Sequence, residues 1–388
     1  MKENKWLNGA LPAILIHGSI GSVYAWSNLV TSVSESMGKS ENLVRFAFSL
    51  AIFFLGMSAA FGGRIVEKNI HVSSRISMLF FCVGLLMTGV SIHFKSIPLL
   101  YISYGAIMGI GLGVGYLTPV KTLMLWFDKN KGLATGIAVC AFGFANTIAN
   151  QLNHFLLERY SLEKVFLLLG VIYAIPMAIG SFLLKKPSWW VEDEVSNSSF
   201  NPMIMWKDHT FVKIWFVMFI NILCGISLIA KAEPIMKVVA GENSIFTLQI
   251  VGVIGIFNGL GRIVISTLSD KLNKRIHIYN IISLAEALAM VCVMAFKQPI
   301  ILFIALCIIA TGYGAGFSCL PSLLSDIYGS KNISKIHGLS LTSWAMAGLL
   351  SVFISNISDL SVIMSILLVG YGIVEGISTS VNYIPNEE

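Results

Sequence analysis

Arg262 stands in a stretch where a charge is costly. The residues from Phe246 through Leu260 carry none, and the next charged side chain, Asp270, comes eight residues later. A guanidinium keeps its proton at any workable pH and offers a planar fork that bonds a carboxylate through two parallel N–H donors. Asn258 precedes it by one helical turn, and Ser266 and Ser269 continue the same stripe. Gly252, Val253, Leu260 and Ile263 fall on the other side. The pattern is a helix with one polar face, suited to holding an anion without covalent change. Two readings stay open: an anchor for an anionic ligand, or a structural arginine paired with Glu286 or Glu375.

Other polar and aromatic residues recur at helical spacing. His17, Gly21, Tyr24 and Asn28 share one face near the amino end, and Phe142, Asn146, Asn150 and Asn153 share another. Such stripes inside apolar runs would line a polar cavity. His17 changes charge near neutral pH, which makes it the candidate for a coupling proton, with helix packing as the alternative. Lys121 lies five residues from Tyr116, about 140° around an ideal helix. If Tyr116 faces a cavity, Lys121 turns toward water, unless Pro119 bends the helix and brings it to the ligand. Glu286 reads as structural or peripheral first and proton-linked second, and Lys231 and Glu233 as interfacial or gating. The six cysteines form no CxxC pair and read as small buried hydrophobes, so neither a metal nor a disulfide is expected. No HExxH sequence, phosphate-cradling glycine loop or pair of intramembrane acids supports an enzyme, and no cofactor is expected.

These residues must be positioned by long apolar helices. Hydrophobic residues make up 56% of the chain and charged ones only 12%, where a soluble domain has about a quarter charged. Apolar runs of roughly 20 residues, long enough to cross a bilayer, recur from end to end. The predicted spans are approximately 7–33, 44–66, 76–94, 98–126, 132–156, 163–184, 211–236, 247–269, 276–296, 299–326, 337–356 and 360–380. An all-α membrane protein of twelve helices follows. Lys2 and Lys5 precede the first run, but that run is too long for a signal sequence and lacks a cleavage site, so it is expected to stay as helix 1. With both termini cytoplasmic, sixteen lysines and arginines fall on inner segments and seven on outer ones. That inward excess predicts termini inside. It also accounts for the basic pI without a nucleic-acid partner, since no basic domain stands apart from the bilayer.

The longest hydrophilic stretch divides the helices six and six: 1–186 as an N-terminal bundle, 187–210 as a cytoplasmic connector, 211–388 as a C-terminal bundle. Helix 4 reads "GVGYLTP" (113–119) and helix 10 "GAGFSCLP" (314–321), so Tyr116 and Phe317 are matched aromatics expected to face each other across a pseudo-two-fold axis. The loop after helix 2 places Glu67 beside Lys68, and the loop after helix 8 places Asp270 beside Lys271, with Arg275 following. The glycines Gly105, Gly109 and Gly113 of helix 4 predict close helix packing. Two pseudo-symmetric six-helix bundles with a midplane site describe one large transporter architecture.

The loop "SDKLNKR" resembles the cytoplasmic signature of the major facilitator superfamily, and "GGRIVEKN" is similar to a degraded first copy. More narrowly, the chain resembles the oxalate/formate antiporter family, close to the monocarboxylate porters. The likeness rests on "GSVYAWSNL", "GLGVGYLTPVKTLMLWFDKNKGLATGIAVCAFGF", "FNGLGRIVISTLSDKL" and "HGLSLTSWAMAG". It implies that Arg262 binds the anion, that Tyr116, Phe317 and Asn258 lie near it, and that Glu67, Lys68, Asp270, Lys271 and Arg275 serve gating loops. Phe142 and Tyr24 would line the same cavity, with Asn146 beside them. Oxalate carriers of that family have a lysine in helix 11, where this chain has Trp344. A second carboxylate would then lack a charge partner, which disfavours its burial. The resemblance therefore implies a secondary transporter of small monocarboxylates of the formate, lactate or pyruvate type, working by proton symport or anion exchange. A monomer in the plasma (inner) membrane, with the lipid bilayer and a small carboxylate as its partners, is expected. The alternatives are a carrier for another solute class and a ligand sensor that moves nothing.

Overall fold

The computed structural model describes residues 3–190, 201–229, 231–355, 357 and 359–385. Lys2 and the middle of the predicted connector, 191–200, lie outside the described residues. The chain is helical, with no strand among the described residues. Among the described residues, eleven helices are long and apolar enough to cross a bilayer. We number the helices α1 Leu11–Ile20, α2 Glu41–Lys68, α3 Ile70–His93, α4 Ile97–Trp126, α5 Lys131–Leu157, α6 Leu162–Leu183, α7 His209–Ile229, α8 Ile245–Ser269, α9 His277–Phe296, α10 Pro299–Tyr328, α11 Ile333–Ile354 and α12 Leu360–Thr379.

The first span departs from the prediction of one continuous helix. It runs as a π turn over Trp6–Ala10, then α1, then a 3₁₀ stretch over Gly21–Asn28, and a short α-helix over Val30–Met37. Glycine, serine and asparagine, all weak helix formers, fill the 3₁₀ stretch. Gly21 also lays its backbone on α5, since a Cβ there would come within 2.3 Å of the Phe142 carbonyl oxygen.

Two compact units emerge. The first comprises Met1–Lys129, Ile137–Phe200 and Lys331–Ala345; the second comprises Asn130–Gly136, Asn201–Ser330 and Met346–Glu388. Each unit therefore takes in the start of one helix, α11 or α5, from the other half of the sequence.

Inside the first unit the helix 4 glycines do what their spacing predicts. A Cβ on Gly105, Gly109 or Gly113 would lie 2.9 Å from the Leu50 side chain, 2.8 Å from the Ala51 oxygen or 2.1 Å from the Leu55 oxygen. Close backbone approach of this kind matters in a bilayer, where lipid tails compete with apolar side chains and van der Waals packing must hold helices together. The second unit packs Ile250, Ile254, Met290, Leu306, Ile309 and Leu367 into one apolar core. Phe61 and Phe182 in the first unit and Leu248 and Phe353 in the second are largely exposed, as lipid-facing residues should be.

The repeat is visible in the turns as well. α3 leads into α4 through "FKSIP" and α9 into α10 through "FKQP", and in both the lysine, Lys95 or Lys297, adopts a left-handed conformation, with φ of 51° and 47°. A non-glycine residue seldom sits there. In each case the proline that follows lies in the first turn of the next helix.

Candidate functional site

Each unit carries a buried cluster built from residues that the sequence singles out. In the first, Tyr116 of α4 is the hub. His17 of α1 stacks on it at 5.1 Å, while Phe142 of α5 and Trp344 of α11 meet it edge-on at 5.5 and 5.7 Å. Phe142 and Trp344 also touch, at 6.1 Å, and Tyr24 closes on Phe142 at 5.4 Å. His17, Tyr116, Phe142 and Trp344 are all buried, and Tyr24 is half-buried.

His17 is clamped. Its Nδ1 lies 2.6 Å from the Ala138 carbonyl oxygen and its Nε2 lies 3.0 Å from that of Tyr116. A neutral imidazole has one N–H and can donate to only one of these acceptors, whereas an imidazolium donates to both. The clamp ties α1 to α4 and α5 at the level of the aromatic hub.

One member of this cluster was not among the predicted site residues. His337 of α11 is buried and packs on Tyr116 at 5.9 Å. Its sequence signal is its position seven residues before Trp344, which puts the two on one face of a helix.

The stripe on α5 continues past Phe142. Asn146, Asn150 and Asn153 each bury a side-chain oxygen that has no hydrogen-bond partner among the described residues. Asn150 and Asn153, with Asn28 and Gln151, line an open cavity of about 600 Å³ in the first unit. Asn28, from the stripe on helix 1, and Asn150 and Asn153, from the stripe on helix 5, thus line one cavity.

In the second unit α8 widens into a π turn over Gly261–Ile265, and Arg262 lies within it. Such turns often mark functional positions in helices. Arg262 is 1% exposed. Its Nε donates to the Asn258 Oδ1 at 2.7 Å, and its guanidinium lies 5.5 Å from the ring of Phe317. Tyr313 braces that ring edge-on at 5.1 Å. Helix α10 comes this close because Gly314 carries no side chain: a Cβ there would sit 2.2 Å from the Asn258 carbonyl oxygen. The two acids named as structural partners for the arginine are placed otherwise. Glu375 accepts bonds from Asn280 and Ser283 at 3.1 and 2.7 Å, and neither oxygen of Glu286 has a hydrogen-bond partner among the described residues.

The loop acids cap helices. Asp270 accepts from the backbone N–H groups of Gly132 and Leu133, at the start of α5, at 2.7 and 2.9 Å. Glu67 accepts from the Ser334 N–H, at the start of α11, at 2.8 Å. A helix amino terminus exposes unpaired N–H groups and a positive dipole end, so a carboxylate there is stabilised. Arg275 then bridges Asp270 and Asp326 at 2.9 and 2.8 Å. Burial works against its charge, but Asp326 and Asp270 outweigh it and hold the Arg275 pKa above its usual value. Lys68 and Lys271, the other loop residues, are exposed.

Lys121 departs from both predicted positions. It is buried and donates to Glu67 at 2.6 Å, 5.6 Å from the Trp190 ring, so it reaches neither water nor the aromatic cluster. Its partner lies 54 residues away, beyond the reach of any helical-spacing argument.

Residues 13–352 match the profile of the Major Facilitator Superfamily. The chain is similar to the MFS-type transporter YhjX of Escherichia coli (strain K12), with 27% identity over 87% of this chain and 84% of the relative. It is also similar to the oxalate:formate antiporter of Oxalobacter formigenes, with 25% identity over 90% of this chain and 83% of the relative. Among solved structures, the proton:xylose symporter XylE bound to 6-bromo-6-deoxy-D-glucose shares the fold, with a TM-score of 0.74 at 14% identity over 96% of this chain and 93% of that one. On a helical fold of this kind, matched over most of its length, the chain belongs to the major facilitator superfamily and is a multi-pass integral membrane transporter.

Proposed function

We propose that this transporter carries small organic anions, with monocarboxylates of the formate, lactate or pyruvate type as its substrates. The observation that carries the reading is Arg262: a buried guanidinium in a π turn, oriented by Asn258 and braced over Phe317. A carboxylate is the planar, anionic partner that such a fork matches. The likeness to an oxalate:formate antiporter supports the anion class.

The charge count favours one carboxylate over two. Trp344 stands where oxalate carriers of the resembled family have a lysine, and Lys121 is engaged by Glu67. A second buried carboxylate would have to be left poorly matched, which is costly. Tyr116, Phe142, Trp344 and Tyr24 supply an aromatic wall in the first unit, and Asn146 extends it along α5 toward Asn150.

We assign His17 to holding Tyr116 rather than to carrying the proton. Both ring nitrogens face backbone carbonyls and the ring is fully buried, so the imidazole is fixed against α4 and α5 beside Tyr116. The loop acids Glu67 and Asp270, with Arg275, act as latches that hold the starts of α11 and α5 in one conformation and release them in another. Lys68 and Lys271 flank those latches. Transport by a monomer with both termini in the cytoplasm, from a plasma (inner) membrane, completes the reading, and the lysine and arginine asymmetry supports that orientation.

A thermal-stability screen of the purified protein against mono- and dicarboxylates tests the substrate class. A ligand bound to the native state raises the melting temperature as its concentration passes Kd. Stabilisation by formate, lactate or pyruvate is expected; stabilisation by oxalate alone, or by neutral sugars, would refute the assignment.

A further inference from the structure

The second unit holds a carboxyl group that the anion site does not use. Glu286 lies midway along α9, fully buried, and neither of its oxygens has a hydrogen-bond partner among the described residues. It is seated against α10 at Gly312, where a Cβ would come within 2.2 Å of Oε1. Tyr371 of α12 is also fully buried, and its hydroxyl likewise has no hydrogen-bond partner among the described residues. Cys224 of α7, packed against Gly370 of α12, is a further titratable group in this region. Helix α10 presents Gly312 to the carboxyl, and the further acid on α12 is Glu375.

Burial falls off along a ladder between α9 and α12. Ser283 lies one turn before Glu286 and donates to Glu375, which lies one turn after Tyr371. Asn280 donates to Glu375 and also to Thr379. Glu286 is fully buried, Glu375 is half-buried and Thr379 is exposed. Exposure thus rises from the enclosed carboxyl toward the end of α12.

A carboxylate left ionised in such a place, with no donor on either oxygen, is strongly disfavoured, whereas a neutral carboxyl is both a donor and an acceptor. We propose that Glu286 is a proton-binding site of the second unit, filled and emptied through Glu375, and that it couples substrate movement to protons. On release, the O–H bond of Glu286 breaks and its proton passes to the Glu375 carboxylate, which Ser283 and Asn280 hold between α9 and α12, and Glu375 yields a proton to water at the end of α12. Loading runs the same steps in reverse. Each transfer conserves charge and needs no further reactant.

This inference rests on the reading of the protein as a carboxylate transporter, so its test separates the two. Proteoliposomes are compared for labelled lactate counterflow at equal pH and for uptake driven by an inward proton gradient. Glu286→Gln should keep counterflow and lose the stimulation by the gradient, and Glu375→Gln should slow gradient-driven uptake. A Glu286→Gln protein that responds to the gradient as wild type does would overturn the site. Absence of counterflow in wild type would sink the transport reading instead.

The second arm needs neither transport nor the variant's folding. Detergent-purified wild type is treated with a lipid-soluble carbodiimide, which adds a protonated carboxyl across its C=N bond, and the Glu286 peptide is read by mass spectrometry. Modification of Glu286 at neutral pH is expected; an unmodified Glu286 peptide, at neutral and at acidic pH alike, would overturn the proposal.

Discussion

Replacing Arg262 should remove carboxylate recognition while sparing the fold, and the size of the loss can be worked from its contacts. In Arg262→Gln the substrate carboxylate faces an amide in place of a guanidinium. Breaking a buried charge pair by removing one partner costs about 3–5 kcal/mol. That corresponds to an affinity loss of about a hundredfold to several thousandfold. Arg262→Lys keeps a charge but loses the planar fork, along with the Nε bond to Asn258. Losing one charge-assisted hydrogen bond costs about 1.5–3 kcal/mol, or roughly ten- to a hundredfold in Kd. The order wild type, lysine, glutamine is therefore expected in both affinity and rate.

The ligand-free protein should behave differently. A buried cation disfavours helix insertion by about 2.5–3.5 kcal/mol at the centre of a membrane, so removing it offsets the loss of the Asn258 bond, and the melting temperature without ligand should hold. The assay pairs ligand-dependent melting with counterflow for the three proteins. A glutamine variant that binds lactate or formate with wild-type affinity would refute the anchor. A variant that loses binding only because its ligand-free melting temperature collapses would show that Arg262 is structural.

Tyr116→Phe should weaken substrate affinity by about 1.5–3 kcal/mol, the worth of one hydrogen bond to a charged group; unchanged Kd in the melting assay would reduce Tyr116 to packing. His17→Gln carries its two N–H donors on a single nitrogen, which cannot stand in for both the Nδ1 and Nε2 positions that face the Ala138 and Tyr116 carbonyls, so counterflow and gradient-driven uptake should fall together. Loss of gradient-driven uptake alone would return the proton to His17. Glu67→Gln leaves Lys121 buried without its carboxylate, a change expected to destabilise by about 3–5 kcal/mol, and Lys121→Met in the same protein should recover part of it. A double-mutant cycle of melting curves that shows no coupling would contradict the ion pair.

What was legible in the sequence was whatever depends on local pattern. Apolar runs of membrane length mark eleven of the twelve expected spans because one residue's neighbours along the chain suffice to make them apolar. Arg262 is conspicuous for the same reason, as a charge in an uncharged run. The glycine spacing of α4 likewise foretells its contact with α2. The first span was misread as one helix because Gly21 is shaped by Phe142, a residue 121 positions on. Lys121 was turned toward water or substrate because spacing on its own helix says nothing of Glu67. His337 carries no signal of its own in the sequence, since a histidine in an apolar helix has no distinguishing pattern until Tyr116 is placed beside it. The helix-capping role of Glu67 and Asp270 was hidden too: sequence shows two acid–lysine pairs, and only the fold supplies the N–H groups of Ser334, Gly132 and Leu133.

The most direct test of the central claim is counterflow in liposomes containing only the purified protein. Vesicles are loaded with unlabelled lactate or formate, diluted into a trace of the labelled anion at equal pH, and sampled over time. A carrier with one carboxylate site of this kind should accumulate label transiently above equilibrium and then lose it, and Arg262→Gln vesicles should show no such rise. Wild-type vesicles that take up no label with formate, lactate or pyruvate inside would contradict the assignment of a monocarboxylate carrier.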